Sequence, residues 1–238
     1  MISASELELG NFQSKHLDDV LPLKYRGGYW DKYVIRENIM SNQYRRLNLQ
    51  PDDIVLDIGA HIGTFTVFAS KKSKRVISYE ASKDNYFILS QNVELNKAKN
   101  TTTYHNAVVG DSKESADFYI NTQNNTGIHS LIKKRGREVE NVLCININKV
   151  LEDVCPNKIK MDCEGEEYNI IKNIKPENWN SIKAISFEYH VDCLKDYNRK
   201  KMQEVIDVLS KYFKFSKYPK TVSKSRTVLI SFWGKIYD

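Results

Sequence analysis

"IVLDIGAHIGTFTV", Ile54 to Val67, is the stretch of this 238-residue chain that decides the fold. A short apolar run ends in an acid, Asp57, and Gly59 and Gly63 come before a second apolar run. An apolar run bounded by turn residues predicts a buried strand, and the longer run after the glycines predicts a helix. The stretch therefore predicts a strand, a glycine turn and a helix, and α/β proteins bind their ligands beside such a turn.

The glycine turn admits a ligand closely but does not suit a diphosphate. A dinucleotide fingerprint has a glycine in the middle of G-x-G-x-x-G, whereas here His61 takes that place and its imidazole would crowd a pyrophosphate. A P-loop is excluded because no G-K-[ST] follows. An acid such as Asp57 at the strand tip fits a cation, and S-adenosylmethionine carries an ammonium and a sulfonium group without a phosphate. The alternative is structural, with Gly59 and Gly63 only letting the helix pack on the strand.

Strands and helices alternate along most of the chain after residue 50. The patterns predict strands at 54–58, 75–79, 101–109, 158–161 and 184–189, and helices at 64–70, 83–95, 166–174 and 199–212. Such alternation predicts an α/β fold with a mostly parallel sheet and helices on both faces. Two consecutive strands in "FKFSKYPKTVSKSRTVLISFWGK" predict an antiparallel hairpin at the C-terminal edge of the sheet.

We expect an N-terminal extension, residues 1–50, and an α/β domain, residues 51–238. In the extension, Tyr33, Ile35, Ile39 and Tyr44 approximate a helical apolar stripe, which predicts a helix. We expect this helical extension to cover the substrate. The middle of the domain, residues 112–151, predicts irregular β structure.

Composition and charge limit the function classes. Hydrophobic residues are 41% and charged residues 28%, and the net charge is +6. The lysines are scattered, which favours a generally basic, solvated surface over a track for nucleic acid. No apolar run reaches the roughly 18 residues of a membrane span, and the N-terminus lacks the apolar region of a signal peptide. No C-x-x-C pair occurs, so reduced cysteines and a cytoplasmic location are expected.

Acids also end three later strands. Glu80 ends the second strand, where an acid commonly accepts hydrogen bonds from ribose hydroxyls. "IKMDCEGEEYNII", residues 159–171, places Asp162 and Glu164 at the end of a buried strand. The next strand ends in "FEYH", with Glu188 and His190 on the same face because side chains alternate along a strand.

Asp162 and Glu188 are expected to converge because adjacent strands lie about 4.8 Å apart. The arrangement suits a general base with an orienting partner, and His190 is a further catalytic candidate. It equally suits two ligands of Mg²⁺ or Mn²⁺, so Asp162 and Glu188 are also candidate metal ligands.

Together these motifs resemble the FkbM family of S-adenosylmethionine-dependent methyltransferases. The family's V-L-D-x-G-A-x-x-G motif is matched by residues 55–63, and its acid after the second strand by Glu80-Ala81. Its N-V-x-L-N run is matched by residues 92–96 and its K-x-D-x-E-G-x-E motif by residues 160–167, while residues 187–190 resemble its L-x-E-x-H ending. The family's T-L-D segment has no counterpart in "INKVL", residues 147–151.

The resemblance implies a Rossmann-like, seven-stranded methyltransferase sheet and methyl transfer to a hydroxyl of a sugar, glycan or small metabolite. Cofactor contacts are implied at nine further positions besides Asp162, which would face the transferred methyl group: Asp57, Gly59, Ala60, His61, Gly63, Glu80-Ala81 and Asn106-Ala107. Tyr33, Arg36 and Asn38 are candidates to reach the cofactor carboxylate or the substrate. Because members occur in bacteria and in large DNA viruses, a viral chain would act in the host cytoplasm.

Three other functions stay open from the residues alone. An RNA methyltransferase would explain the basic charge, but no aromatic-and-basic recognition tract is present, so no nucleic-acid partner is expected. A nicotinamide dehydrogenase is disfavoured by His61. A non-catalytic nucleotide-binding module would leave the acids at the later strand tips unexplained.

Overall fold

The computed structural model describes residues 6–123, 125–132, 136–190, 199–218 and 227–236. Its strands are β1 (Leu7–Gln13), β2 (Val20–Arg26), β3 (Ile54–Ile58), β4 (Arg75–Tyr79), β5 (Thr101–Tyr104), β6 (Ala107–Val109), β7 (Ser115–Ile120), β8 (Glu138–Asn146), β9 (Lys158–Met161), β10 (Ala184–His190), β11 (Phe213–Lys217) and β12 (Thr227–Lys235). Its α-helices are α1 (Asp31–Ile35), α2 (Thr64–Ser70), α3 (Lys83–Leu95), α4 (Ile147–Val154), α5 (Glu167–Asn173) and α6 (Arg199–Leu209).

The main sheet has seven strands in the order β11-β12-β10-β9-β3-β4-β5. The five strands from β10 to β5 run parallel, whereas β12 is antiparallel to both of its neighbours. This arrangement confirms the predicted Rossmann-like sheet with an antiparallel hairpin at its C-terminal edge. Within the hairpin, β12 is inserted between β10 and β11, so the outermost strand is β11 rather than the last one in the chain.

The chain order of the strands reverses between β3 and β9, which pair directly in the middle of the sheet. Ligands of open α/β sheets bind beyond the carboxyl ends of the strands at such a reversal. The loops that follow these two strands carry the glycine turn and Asp162. The topology therefore brings the first and the second sequence motif together.

The predicted third strand, residues 101–109, is split in the structure. β5 belongs to the main sheet, whereas β6 joins a separate three-stranded sheet in the order β6-β8-β7. The chain changes sheets at His105 and Asn106. The predicted irregular region, 112–151, is more regular than expected, since it contains β7, β8 and the first turns of α4.

Apolar side chains cover both faces of the main sheet. On one face, Leu56 and Ile58 of β3 pack in the largest core cluster with residues of α4, α5 and α6. On the other face, Val55 packs with Phe65 of α2. Successive strand residues point to opposite faces, so the run "IVLDI" supplies both layers at once.

The side of α3 that faces the protein only partly matches its apolar pattern. The pattern of residues 83–95 predicts Tyr86, Phe87, Leu89 and Val93 on this side; Leu89 is buried, whereas Phe87 is 39% exposed. The buried side carries Ile88 and Leu89 together with two asparagines, Asn85 and Asn92. A hydrophobic pattern cannot find this side because the asparagine amides enter it to make hydrogen bonds.

The N-terminal extension is helical only in part. The predicted helix near residues 33–44 is present as α1, followed by a π-helical turn, Arg36–Met40, and a 3₁₀ turn, Arg45–Leu47. The antiparallel hairpin of β1 and β2 was not predicted. Leu21 and Leu23 of this hairpin pack with Val67 and Phe68 of α2, so the extension packs against the α/β domain. Over the described part of the chain, no helix has the length and apolar character required for a membrane crossing.

Candidate active site

A cavity of about 650 Å³ opens at the carboxyl ends of β3, β4 and β9. Seven predicted site residues line it: Gly59, His61, Glu80, Ala81, Asn106, Ala107 and Asp162. The cavity therefore gathers most of the expected cofactor residues from four separate segments of the chain.

The two glycines of the turn have different neighbours. A Cβ at Gly59 would lie 1.8 Å from the carbonyl oxygen of Asp162, because the loops after β3 and β9 touch there. A Cβ at Gly63 would lie 2.5 Å from Cδ1 of Leu89, so this glycine serves the packing of α2 on α3. Both have positive φ angles, which glycine adopts without strain. Gly63 and the buried Ala60 are not among the cavity-lining residues, and the structural alternative describes Gly63 well.

Glu80 is held by backbone groups at the wall of the cavity. Its Oε2 accepts a hydrogen bond from the amide of His61 at 2.8 Å, and its Oε1 accepts one from the amide of Ser82 at 2.8 Å. Burial raises the pKa of Glu80, and these backbone hydrogen bonds oppose the shift. Asn85 Nδ2 also donates to Oε1 at 3.5 Å, and because a carboxylate has about four lone-pair positions, Glu80 keeps acceptor capacity for a ligand hydroxyl.

Asp57 lies below the cavity rather than in its wall. It is fully buried on β3 and forms an ion pair with Nζ of Lys160 at 3.1 Å, and Thr66 Oγ1 donates a hydrogen bond to it at 2.6 Å. Lys160 Nζ also donates to the carbonyl of Gly59 at 2.6 Å. Asp57 and Lys160 are register partners on adjacent parallel strands, so the charge of Asp57 stabilises the turn.

A buried polar network from the N-terminal extension borders the cavity and was missed from the sequence. Nε and Nη2 of Arg26 donate to the two carboxylate oxygens of Asp31, each at 2.9 Å, and neither side chain is more than 4% exposed. Arg26 Nη2 also donates to Asn85 at 2.7 Å, and Thr126 Oγ1 donates to Asp31 at 3.0 Å. His61 Nε2 lies 3.2 Å from Thr126 Oγ1. Through these hydrogen bonds, the extension holds the glycine turn in position.

Burial keeps the histidine of this network neutral. It lowers the pKa of His61 to about 4, although the Asp31 carboxylate opposes the shift. Burial likewise lowers the pKa of His129, which also lines the cavity, to about 3. A cavity bordered by neutral imidazoles suits a ligand without phosphate.

A second group of side chains, Asp162, Glu188 and His190, lies beside the cavity. Each offers a ligand atom, and these atoms lie within 4.8 Å of one another. Asp162 belongs to both places, since it also lines the cavity. We call these three residues the acid cluster. The predicted convergence of the tips of β9 and β10 is therefore present.

The ring of His190 is oriented by carboxylates on both sides. Its Nδ1 lies 3.0 Å from Oε1 of Glu167, and its Nε2 lies 3.4 Å from Glu164 and 3.8 Å from Asp162. Burial alone would lower the pKa of His190, but Glu167 and Glu164 raise it well above its usual value. His190 is therefore protonated at neutral pH and acts as the cation of the cluster rather than as a base.

Asp162 is the group best suited to accept a proton. Burial raises its pKa well above the usual value, and the neighbouring Glu188 carboxylate raises it further. Its side chain keeps 30% exposure, so a substrate can reach it. Glu188 is held from the extension, where Gln43 Nε2 donates to it at 2.9 Å and the Tyr44 hydroxyl at 3.3 Å.

The candidates proposed in the extension have separate environments. Asn38 is buried and donates to Thr64 Oγ1 at 2.6 Å, so it fastens the extension to the start of α2. Arg36 and Tyr33 are exposed. The hydrogen-bonding partners from the extension, Arg26, Asp31, Gln43 and Tyr44, carried no local motif. Their only sequence signal is charged or polar residues flanking a short apolar helix.

Comparison with known proteins gives a family and diverse relatives. The methyltransferase FkbM domain matches residues 57–214. A probable cobalt-precorrin-6B C(15)-methyltransferase (decarboxylating) of Methanococcus vannielii is 33% identical over 135 residues, 54% of this chain and 68% of the relative. An uncharacterized RNA methyltransferase of Thermotoga maritima is 36% identical over 72 residues, 30% of this chain and 16% of the relative.

Among solved structures, the methyltransferase FkbM from Methylobacillus flagellatus KT covers 76% of this chain and 44% of its own at 14% identity and a TM-score of 0.47. The domain match spans more than half of the chain and includes the glycine turn, Glu80 and the acid cluster. The chain belongs to the FkbM methyltransferase family, and it is an S-adenosylmethionine-dependent methyltransferase.

Proposed function

We propose that this protein is an O-methyltransferase that methylates a hydroxyl of a sugar, a glycan or a related small metabolite. The observation that carries the proposal is the position of Asp162, which lines the cofactor cavity and belongs to the acid cluster. A base beside the cofactor is what an alcohol acceptor requires, because an alcohol keeps its proton at neutral pH.

The cavity fits S-adenosylmethionine in its chemistry. Glu80 offers acceptors to the ribose hydroxyls, and Asn106 and Ala107 line the part of the cavity that we propose for the adenine. His61 is neutral, so its imidazole offers no positive charge to a phosphate, which suits a ligand without phosphates. When bound, this cofactor supplies a methyl group on a sulfonium, a leaving group that departs without charge.

Asp162 would accept the proton of the acceptor hydroxyl as the new bond forms. Protonated His190 then holds the cluster together, because it pairs with Asp162, Glu164 and Glu167. Glu188, fixed by two donors from the extension, would hold the hydroxyl in line. General-base catalysis contributes typically 10²- to 10⁴-fold, and alignment of the two reactants contributes more.

A divalent cation is a further candidate partner of the acid cluster. Asp162, Glu188 and His190 supply oxygen and nitrogen ligands that Mg²⁺ or Mn²⁺ accepts. Such an ion would replace the proton of His190 as the positive charge of the cluster. A metal requirement predicts that activity falls after treatment with EDTA and returns with Mg²⁺ or Mn²⁺, whereas the proton-based arrangement predicts no change.

We place this reaction in the cytoplasm. Cys144, Cys155 and Cys163 are all unpaired, which suits a reducing compartment. Cys155 is exposed, and Cys193 lies outside the described residues.

The proposal is tested in two steps with the intact chain. Calorimetry with S-adenosylhomocysteine, with and without Mg²⁺, should give micromolar binding. Transfer of a radiolabelled methyl group is then measured on a panel of methyl glycosides, nucleosides and a short RNA. Methyl ethers of a glycoside or metabolite hydroxyl support the proposal, and methylation of RNA or of carbon would contradict it.

A further inference from the structure

An exposed aromatic pair lies at the start of α1. Trp30 is 51% and Tyr33 is 59% exposed, and their ring centroids are 4.9 Å apart with an interplanar angle of 36°. The two tilted rings lie against each other and together expose apolar surface with little conformational freedom. Neither ring is buried against the α/β domain, so the pair does not contribute to the hydrophobic core.

The position of the pair relative to the active site follows from helical spacing. Residues 30, 33, 34 and 37 share one side of a helix, because positions three and four apart are neighbours. On this side, Val34 lines the cofactor cavity. Burial and the Glu188 carboxylate raise the pKa of Glu37, so Glu37 lies close enough to Glu188 to feel its charge. Trp30 and Tyr33 therefore continue the side of α1 that borders both the cavity and the acid cluster.

The charge of the surroundings selects the ligand class. The mouth of the site carries four carboxylates, those of Glu37, Asp162, Glu164 and Glu188. Among the described residues beside these carboxylates, Lys160 pairs with Asp57 and His190 pairs with Glu164. Such a mouth repels a phosphate backbone, whereas carboxylates accept hydrogen bonds from neutral hydroxyls.

We infer that Trp30 and Tyr33 form a platform that stacks against the apolar face of a neutral sugar ring and holds it over the acid cluster. The inference rests on the proposed function and names its acceptor as a carbohydrate rather than another alcohol. The rings cover the C–H face of the sugar, and the carboxylates meet its hydroxyl edge. This division suits a carbohydrate, which has one apolar face and a polar rim.

The local backbone is consistent with a binding role. α1 changes to a π-helical turn at Arg36, and π-helical turns are frequent at functional sites. The wider turn carries Glu37 between the aromatic pair and Gln43, which holds Glu188. One short segment thus supplies the platform, a wall of the cavity and a support of the acid cluster.

The test is saturation-transfer NMR on the intact protein with S-adenosylhomocysteine and methyl glycosides of hexoses, deoxyhexoses and pentoses. We expect saturation of the ring C–H protons of at least one glycoside. The signal should be lost in Trp30→Ala and Tyr33→Ala but kept in Trp30→Phe and Tyr33→Phe, which preserve a ring. Phe215→Ala is the matched control, since Phe215 is a 55% exposed aromatic that also stacks on a neighbour, Trp233, at the other end of the sheet.

Two results would overturn the platform. One is that no glycoside receives saturation, or that both alanine variants keep it. The other is that a uridine 12-mer binds at 150 mM salt and loses this binding in Trp30→Ala, which would make the pair a nucleobase platform.

Kinetics separates the platform from the proposed function. If a glycoside hydroxyl is methylated, Trp30→Ala and Tyr33→Ala should raise KM about tenfold and leave kcat within about twofold. An unchanged KM rejects the platform while O-methylation stands. Glycoside contact without any methyl transfer rejects the proposed function while the platform stands.

Discussion

The two sides of the active site satisfy their buried charges in opposite ways. On the proposed cofactor side, Asp31 is paired with two nitrogens of Arg26, Nε and Nη2, and Glu80 accepts two backbone hydrogen bonds. On the proposed acceptor side, Asp162 and Glu188 face each other, and the nearby cations among the described residues are the His190 imidazolium and Lys160, which Asp57 already pairs. The buried carboxylates of the first side are therefore matched by a cation or by hydrogen-bond donors, while the second side holds an excess of negative charge.

This difference separates binding from proton transfer. A carboxylate held by backbone hydrogen bonds or by a bidentate arginine keeps its geometry when a ligand binds. A carboxylate with a raised pKa and a like-charged neighbour is instead ready to accept a proton. We therefore expect substitutions on the cofactor side to change affinity and stability, and substitutions in the acid cluster to change turnover.

The largest effect is expected for Asp162→Asn. The amide keeps the shape but cannot accept a proton, so kcat should fall about 10²- to 10⁴-fold. The affinity for S-adenosylhomocysteine, measured by calorimetry, should change less than about threefold. Asp117→Asn, at an exposed acid on β7, is the control. Unchanged turnover in Asp162→Asn would contradict the assignment of proton transfer to the acid cluster.

Arg26→Met should give the largest loss of stability. The substitution leaves the carboxylate of Asp31 buried without its bidentate partner, and breaking a buried ion pair costs about 3–5 kcal/mol. The free energy of unfolding is measured by urea denaturation, with the exposed Arg75→Met as the control. A loss below about 1 kcal/mol would mean that the cofactor side is not fixed by this pair.

The neutral state of His61 makes stability depend on pH. Its pKa in the folded protein is about 4, below the ordinary 6.5, so the unfolded chain binds more protons between these values. Stability should therefore fall as pH drops from 6.5 to 4, at about 1.4 kcal/mol per pH unit at most.

Urea midpoints between pH 7 and pH 4 measure this loss. His61→Gln should flatten the part of the profile that is due to His61, whereas the exposed His105→Gln should leave the profile unchanged. A wild-type slope retained in His61→Gln would assign the acid sensitivity elsewhere, with His129 as the next group to test.

The smallest of these effects is expected for Glu80→Gln. The amide loses the charge that strengthens each hydrogen bond to the ribose, and a hydrogen bond to a charged group contributes about 1.5–3 kcal/mol. The dissociation constant for S-adenosylhomocysteine should rise about 10- to 100-fold, while kcat at saturating cofactor should stay within about twofold. A change in kcat with an unchanged dissociation constant would indicate that Glu80 acts on the acceptor rather than on the cofactor.

Much of the sheet was predictable because its strands are short apolar runs with turn residues at both ends. β3, β4 and β9 have the predicted boundaries, and the acids at their tips predicted where the candidate site lies. The convergence of Asp162 with Glu188 also followed, since parallel neighbours end at the same edge. These features depend on local pattern and on the general geometry of a parallel sheet.

The remaining features depend on pairing across long distances in the sequence. The position of Asp57 below the cavity follows from its register with Lys160, which a strand pattern alone does not give. Arg26 meets Asn85 because a hairpin with no clear pattern folds over α3. The role of residues 1–50 as a substrate cover and the individual site roles stay predictions, to be tested by the variants above.

The insertion of β12 between β10 and β11 has a consequence for biosynthesis. β12 pairs with β10 along its whole length, from Ala184 to His190, yet it leaves the ribosome after α6 and β11. Until then, the strand that carries Glu188 and His190 has an unpaired edge, a surface that promotes aggregation. This edge of the sheet is therefore completed late in translation, and a nascent chain stalled before residue 227 would be a natural client for chaperones.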